Sequence, residues 1–200
     1  MTHIIFIDGE NFRHRIKEVF DKVKETAPDW SAYDFAGLLD CVLTENQKNY
    51  ERRFYRAKPK PHGDIPELSA QLMLSYRNLG GHLNRQGFEL ITAGVLRADY
   101  KKPGDKKPIF REKGVDVSIS VDMLSLACDG KLTEAFLVAS DSDYQPVVRE
   151  LKKRGVRVVY VGFEVNPNLG LIAKTDDRII ISSKEVLGCA KQNRMKRNAA

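Results

Sequence analysis

Three stretches of this chain set carboxylates where a folded α/β protein could use them. Phe6-Ile7-Asp8-Gly9-Glu10-Asn11 ends one apolar run in acids, glycine and an amide. Ala139-Ser140-Asp141-Ser142-Asp143-Tyr144 ends a second apolar run in the same manner. Lys113-Gly114-Val115-Asp116-Val117 opens a helical stretch, with Asp122 further along it. An aspartate just past a buried strand is poorly suited to the core, and its ordinary use is to cap the next helix through a side-chain oxygen. That reading is strongest for Asp143 and weaker for Asp8, where Glu10 and Asn11 compete for the role. Asp116 and Asp122 lie about 240° apart around a helix and do not share a face. Asp116, nearer the helix start, is the candidate to join the strand-end acids, and Asp122 is equally well read as a structural acid accepting backbone or hydroxyl bonds. Carboxylates brought close together repel unless they are protonated or bound to cations. An oxygen-only, thiolate-free set suits Mg²⁺ or Mn²⁺. Such ions hold phosphates, activate water and stabilise a departing oxygen, which is the chemistry of phosphodiester hydrolysis.

Other chemistries find less support. Ser140 and Ser142 have no paired histidine in any hydrolase motif, which argues against a serine nucleophile. No GxGxxG run follows the first strand. His3, His14, His62 and His82 have no ligand spacing. A haloacid-dehalogenase-type phosphatase would use a strand-end acid such as Asp8, but it needs a second aspartate two residues on, where Glu10 stands.

The elements that must position these acids follow from periodicity. His3–Asp8 reads as a buried strand and is followed by a helix from Asn11, closed by Pro28, with Phe12, Ile16, Val19, Phe20 and Val23 at three- and four-residue steps. Ser31 is the expected N-cap of a second helix. Tyr50–Ala57 reads as a strand nearer the sheet edge, and Lys58–Gly63 as a loop. A helix from about Ile65 to Leu83 should weaken or end at Gly80-Gly81. Phe88–Leu96 reads as one strand, Arg97–Lys113 as a polar basic loop, and Val115–Cys128 as a helix. Ala135–Ala139 and Val156–Val161 are strands flanking a helix, Tyr144–Lys153. A short helix within Asn166–Lys174 and a last strand, Arg178–Ser182, complete the domain. Strands alternating with helices imply a parallel sheet covered on both faces, with ligands outside the carboxyl ends of the strands.

The chain has 200 residues, 42% of them hydrophobic and 30% charged, which is an ordinary globular composition. We expect one domain over residues 1–188 and a basic tail, 189–200, that need not be ordered. No apolar run is long enough to cross a bilayer, and Ile4–Ile7 is too short for a signal-peptide core. Three widely spaced cysteines, Cys41, Cys128 and Cys189, suggest neither a zinc site nor a disulfide framework, so a cytoplasmic protein is expected. The net charge of +6 raises the prior for a polyanionic partner. It is unevenly spread: Glu51–Lys60, Arg97–Lys113 and Lys184–Ala200 each carry a net +4, leaving −6 on the rest. Any one such cluster could be a solvated loop or tail.

Taken together and in order, the three carboxylate stretches resemble the signatures of the NYN domain in its LabA-like branch, a PIN-like group related to nucleases. The match runs from about Thr2 to Gly162. The resemblance implies a three-layer α/β sandwich with a central parallel sheet ordered 3-2-1-4-5 and a divalent-metal-dependent endoribonuclease. Asp8, Asp116 and Asp141 match the metal-binding acids, Asn11 the polar residue that orients one of them or the substrate, and Asp143 a further acid. Ser140 stands where a glycine is often found, and Ala139 where a serine is usual. The cofactor implied is Mg²⁺ or Mn²⁺, and the partner single-stranded or structured RNA, with no membrane and with a homodimer allowed. Given that strand order, Lys58, Lys60, Lys101, Lys102, Lys106 and Lys107 could rim the cleft with Lys113, and Tyr55, Tyr100, Phe110 and Tyr144 could stack on unpaired bases. The alternative is a non-catalytic RNA-binding or regulatory module on the same fold.

Overall fold

β1 (Thr2–Asp8) lies in the middle of the molecule because both of its faces are apolar. Ile5 and Ile7 point to one side, Ile4 and Phe6 to the other, and all four are buried. This is the two-residue alternation of a strand, with both sides greasy. The computed structural model describes residues 2–100 and 108–198. In chain order the elements are β1, α1 (Gly9–Lys22), α2 (Phe35–Asp40), β2 (Glu51–Arg56), α3 (Pro66–Arg85), β3 (Phe88–Thr92), β4 (Val95–Asp99), β5 (Ile109–Lys113), α4 (Val115–Cys128), β6 (Leu132–Val138), α5 (Gln145–Lys153), β7 (Arg157–Phe163), α6 (Leu169–Ile172), β8 (Asp177–Ile181) and α7 (Ser183–Asn198).

Six strands form one parallel sheet in the order β3-β2-β1-β6-β7-β8. Counted along that sheet, the order is 3-2-1-4-5-6, so the expected 3-2-1-4-5 is corrected by one further edge strand, β8 on β7. The two sides of the sheet carry separate cores. Ile5, Ile7 and Phe54 pack with Phe12, Ile16 and Phe20 of α1, with α2, and with Leu79 and Leu83 of α3. Ile4, Phe6, Leu137 and Val158 pack with Ile119 and Met123 of α4 and Val148 and Leu151 of α5. The chain leaves β1 towards β2 and β3, then returns to β6 on its other side. The topological switch point therefore falls between the carboxyl ends of β1 and β6, where a parallel sheet opens a crevice.

Several expectations are revised. α1 ends at Lys22, well short of Pro28, and Val23 is exposed. Asp34, not Ser31, caps α2 by accepting from the Gly37 N–H, while Ser31 donates to Asp29. α3 continues through Gly80-Gly81 to Arg85. The local cost of glycine in a helix is about 1 kcal/mol, and burial of Leu79 and Leu83 on either side outweighs it. Phe88–Leu96 is not one strand. It breaks at Ala93-Gly94, and the supposed basic loop after it folds back as an antiparallel ribbon, β4 against β5. Among the described residues no helix is long and apolar enough to cross a membrane.

Candidate active site

Asp8 is the last residue of β1 and the N-cap of α1. Its Oδ1 accepts the Asn11 N–H at 3.1 Å. The chain can turn there because Gly9 follows: a Cβ at Gly9 would collide with the Phe54 ring and stand 2.7 Å from the Tyr55 carbonyl oxygen. Asp8 is only 5% exposed. Its Oδ2 accepts from Asn11 Nδ2 at 2.6 Å and from the Tyr144 hydroxyl at 2.9 Å. Burial pushes this carboxyl above its ordinary range; the bonds from Asn11 and Tyr144 offset part of that shift, and the charge of Glu10 adds to it.

Asn11 is itself held. Its Oδ1 accepts from the Ser140 hydroxyl at 2.6 Å, and the Ser140 carbonyl accepts from Asn168 Nδ2 at 3.0 Å. With Oδ1 committed to Ser140, the amide can only present its N–H₂ to Asp8. Ser140 thus orients Asn11, a role that a glycine at this position could not fill.

Asp141 opens the turn after β6 and accepts the Asp143 N–H at 3.0 Å. The capping roles expected from the sequence are therefore exchanged. Asp8 and Asp141 are the caps, and Asp143 is an exposed side chain whose backbone serves Asp141. Asp116 enters from the first turn of α4. Asp8, Asp116 and Asp141 line a single open cleft of about 970 Å³, together with Asn11, Arg56, Glu112 and Lys113. The Tyr144 hydroxyl is pushed upward first by burial and then by the charges of Asp8, Asp116 and Asp141 together.

The β4–β5 ribbon forms one wall. Leu96 pairs with Glu112 and Ala98 with Phe110, and this face turns inward while Val95, Arg97, Ile109 and Arg111 are exposed. Leu96, Phe110 and Glu112 line the cleft. Glu112 fixes the ribbon to the end of β2: Oε1 takes Arg56 Nε at 3.2 Å and Oε2 takes the Ala57 N–H at 3.1 Å. Burial raises the Glu112 carboxyl more than these partners lower it. Gly94 begins the ribbon at φ 65°, where a Cβ would meet the Lys113 carbonyl and come within 3.0 Å of Val115 N.

Not every expected residue arrives. Asp143 is outside the cleft lining, as are Lys58 and Lys60, which are exposed on the loop after β2. Lys101, Lys102, Lys106 and Lys107 lie outside the described residues. Tyr55 and Tyr144 are fully buried and closed to base stacking. Tyr55 instead donates to Asp122 at 2.9 Å, which gives that acid a structural partner away from the cleft. Phe110 remains at the cleft, edge-on to His62. Sequence reasoning missed Arg56, Glu112, Asn168 and the bonding role of Tyr144. Only Glu112 left a trace, as an acid in phase with Phe110 in an alternating stretch.

The donor set fits a hard divalent cation in chemistry. It consists of three carboxylates, and Asp8 Oδ1 accepts a single hydrogen bond where a carboxylate oxygen can accept two. Among the described residues no three Asp, Glu, His or Cys side chains close on a common point. An ion here would need water to complete its shell, which is the habit of Mg²⁺.

Fold and site together define an α/β protein whose sheet switch point opens into a carboxylate-lined cleft. The NYN domain family matches residues 3–183, and the chain belongs to it, on a PIN-like nuclease fold. No curated relative matches the chain. A crystal structure of a protein of unknown function from Vibrio parahaemolyticus is similar, with a TM-score of 0.56 over 90% of this chain and 92% of that one. At 18% identity this likeness concerns the fold alone.

Proposed function

We propose that the protein is a divalent-metal-dependent endoribonuclease that hydrolyses RNA phosphodiester bonds in the cleft at the switch point. The observation that carries this reading is the buried Asp8 carboxylate, held by Asn11 and Tyr144 and sharing one cleft with Asp116 and Asp141. Three acids drawn from β1, α4 and the turn after β6 meet in one opening. Membership of the NYN family supports RNA as the substrate class.

Asp8, Asp116 and Asp141 would hold Mg²⁺ or Mn²⁺. Such an ion would supply activation of water and stabilisation of the departing oxygen. The chain itself does the positioning. Asn11 and Tyr144 fix the Asp8 carboxylate, Ser140 fixes Asn11, and the Asp143 N–H fixes Asp141. Arg56 and Lys113 bring positive charge to the cleft, where backbone phosphates would lie, and Phe110 offers an apolar face to a base. In-line attack of water on phosphorus would break the P–O3′ bond, leaving a 3′-hydroxyl on one product and a 5′-phosphate on the other.

The test is cleavage of a single-stranded and a structured RNA with Mg²⁺ or Mn²⁺, with EDTA as control. Cleavage should vanish in EDTA and in Asp116→Asn and Asp141→Asn. Activity that survives both EDTA and Asp8→Asn would overturn the mechanism.

One observation favours a second reading, a non-catalytic RNA-binding module: the acids, although gathered in one cleft, do not close on a common point. Tight, salt-dependent RNA binding without cleavage under any divalent ion would establish it in place of the nuclease.

A further inference from the structure

Arg13 presents a problem that the acidic cleft does not solve. It lies on α1, largely buried, with its guanidinium carbon 5.0 Å from the centre of the Trp30 ring. Its Nε and Nη1 are buried without a hydrogen-bond partner. Glu10 reaches Nη1 only at 3.6 Å. Burial first, and the like charge of Arg56 next, pull the Arg13 value down to about 10 against the smaller opposing pull of Glu10 and Glu112. A buried guanidinium with idle donors and a second arginine pressing on it is costly. An anion meeting the exposed edge of Arg13, 15% of its side chain, together with Arg56 would relieve it.

A place for that anion exists. A pocket of about 280 Å³ lies between α1, the turn that carries Trp30, and α3. Arg13, Trp30 and Arg56 line it, with Leu74 and Asn78 on the α3 side. Asp29 also lines it, with its Oδ1 accepting the N–H and hydroxyl of Ser31. The volume exceeds what one phosphate needs and suits a phosphate with its nucleoside. Leu74 is 57% exposed, a large apolar side chain in a lining that also includes Trp30 and Leu79. Arg56 lines this pocket and the acidic cleft alike, so the two adjoin at that residue.

We propose that this pocket is a nucleotide subsite for single-stranded RNA, in which Arg13 and Arg56 grip a backbone phosphate beside the cleft while Leu74 and Asn78 meet the attached base. Trp30 serves as the platform that fixes the plane of Arg13. Guanidinium forks suit phosphate oxygens, which they can engage in pairs. The subsite rests on the nuclease reading for its substrate class, and it needs no metal.

Trp30 is the single tryptophan of the chain, so its emission reports on this pocket. The experiment titrates the full chain with a short single-stranded oligoribonucleotide in EDTA, following tryptophan emission and, with a labelled oligonucleotide, anisotropy. Saturable binding should change Trp30 emission in the wild type. Arg13→Gln should weaken binding about tenfold and lower the salt slope by about one. Leu74→Glu, on the exposed face of α3, should weaken binding in the same direction without touching the core. RNA binding that leaves Trp30 emission unchanged, wild-type affinity in both variants, or an equal response to polyglutamate would overturn the subsite. If wild-type protein cleaves RNA with Mn²⁺ but Trp30 does not respond, the subsite falls and the nuclease reading stands. If Trp30 responds to RNA but no cleavage occurs under Mn²⁺ or Mg²⁺, the subsite stands and the nuclease reading falls. Absence of RNA binding overturns both.

Discussion

The Tyr144 hydroxyl donates to Asp8 Oδ2 at 2.9 Å, joining residues 136 positions apart. The bond ties the end of β1 to the turn that follows β6, across the switch point. It fixes a carboxylate that burial alone would tend to protonate. Asn11, three residues on, completes the clamp, so Asp8 is held by its own helix and by a distant turn.

Tyr144→Phe keeps the ring and removes the donor. Asp8 then loses one of three hydrogen bonds in a buried setting, and stability should fall by about 1–3 kcal/mol. Urea unfolding of the two proteins at pH 7 measures this. An unchanged midpoint would mean that the hydroxyl contributes nothing to holding Asp8.

Asn11→Ala removes both the side-chain bond to Asp8 and the acceptor for Ser140. If Asp8 acts as a metal ligand, its supporting partner should matter by about 10–100-fold in divalent-ion affinity or cleavage rate. Ser140→Gly, which frees the amide of Asn11 without deleting it, should cost less. Mn²⁺ titration followed by calorimetry, alongside cleavage rates, ranks the two variants. Ser140→Gly proving worse than Asn11→Ala would contradict the proposed order of support.

Glu112 gives a pH signature of defined sign. Its carboxyl is raised above the ordinary 4.5, so between 4.5 and its value in the folded protein the folded state binds more protons than the unfolded one. Stability must then decline as pH rises through that window. Glu112→Gln has no proton to lose there. Unfolding free energies across pH 4 to 8 should show the wild type losing ground to the variant as pH rises from 4.5, then running parallel. A wild type that gains on the variant in that range would reverse the assignment.

Asp122→Ala strips the acceptor from a fully buried tyrosine hydroxyl, that of Tyr55. The expected cost is about 1–3 kcal/mol of stability. The folded fraction should retain wild-type divalent-ion affinity, because Asp122 is not in the cleft lining. Thermal melts and Mn²⁺ titration separate these effects. Loss of ion affinity at unchanged stability would move Asp122 into the site.

The strands that hold the acids are legible in the sequence because they are buried on both faces. Ile4–Ile7 and Ala135–Val138 are continuous apolar runs, and the polar residues that end them mark the carboxyl edge of the sheet. The β4–β5 ribbon is not legible, since it exposes three of five residues in each strand and is held to the end of β2 through Glu112. The caps are exchanged for a similar reason. Asp141 and Asp143 are both acids of one short turn, and only the path of that turn decides which side chain accepts the other's N–H.

What the sequence determined by itself is the inventory: an alternating α/β pattern, acids at the ends of two central strands, a third on a helix, and basic segments between them. Residue type and short-range periodicity are local properties and survive without a fold. The tertiary structure alone decided which groups meet. Tyr144 reaches Asp8, Asn168 supports Ser140, Glu112 clamps Arg56, and Arg13 is buried beside Trp30 with donors unfilled. Each of these depends on burial, and on partners brought close only when the sheet closes, so none has a signature in a linear chain.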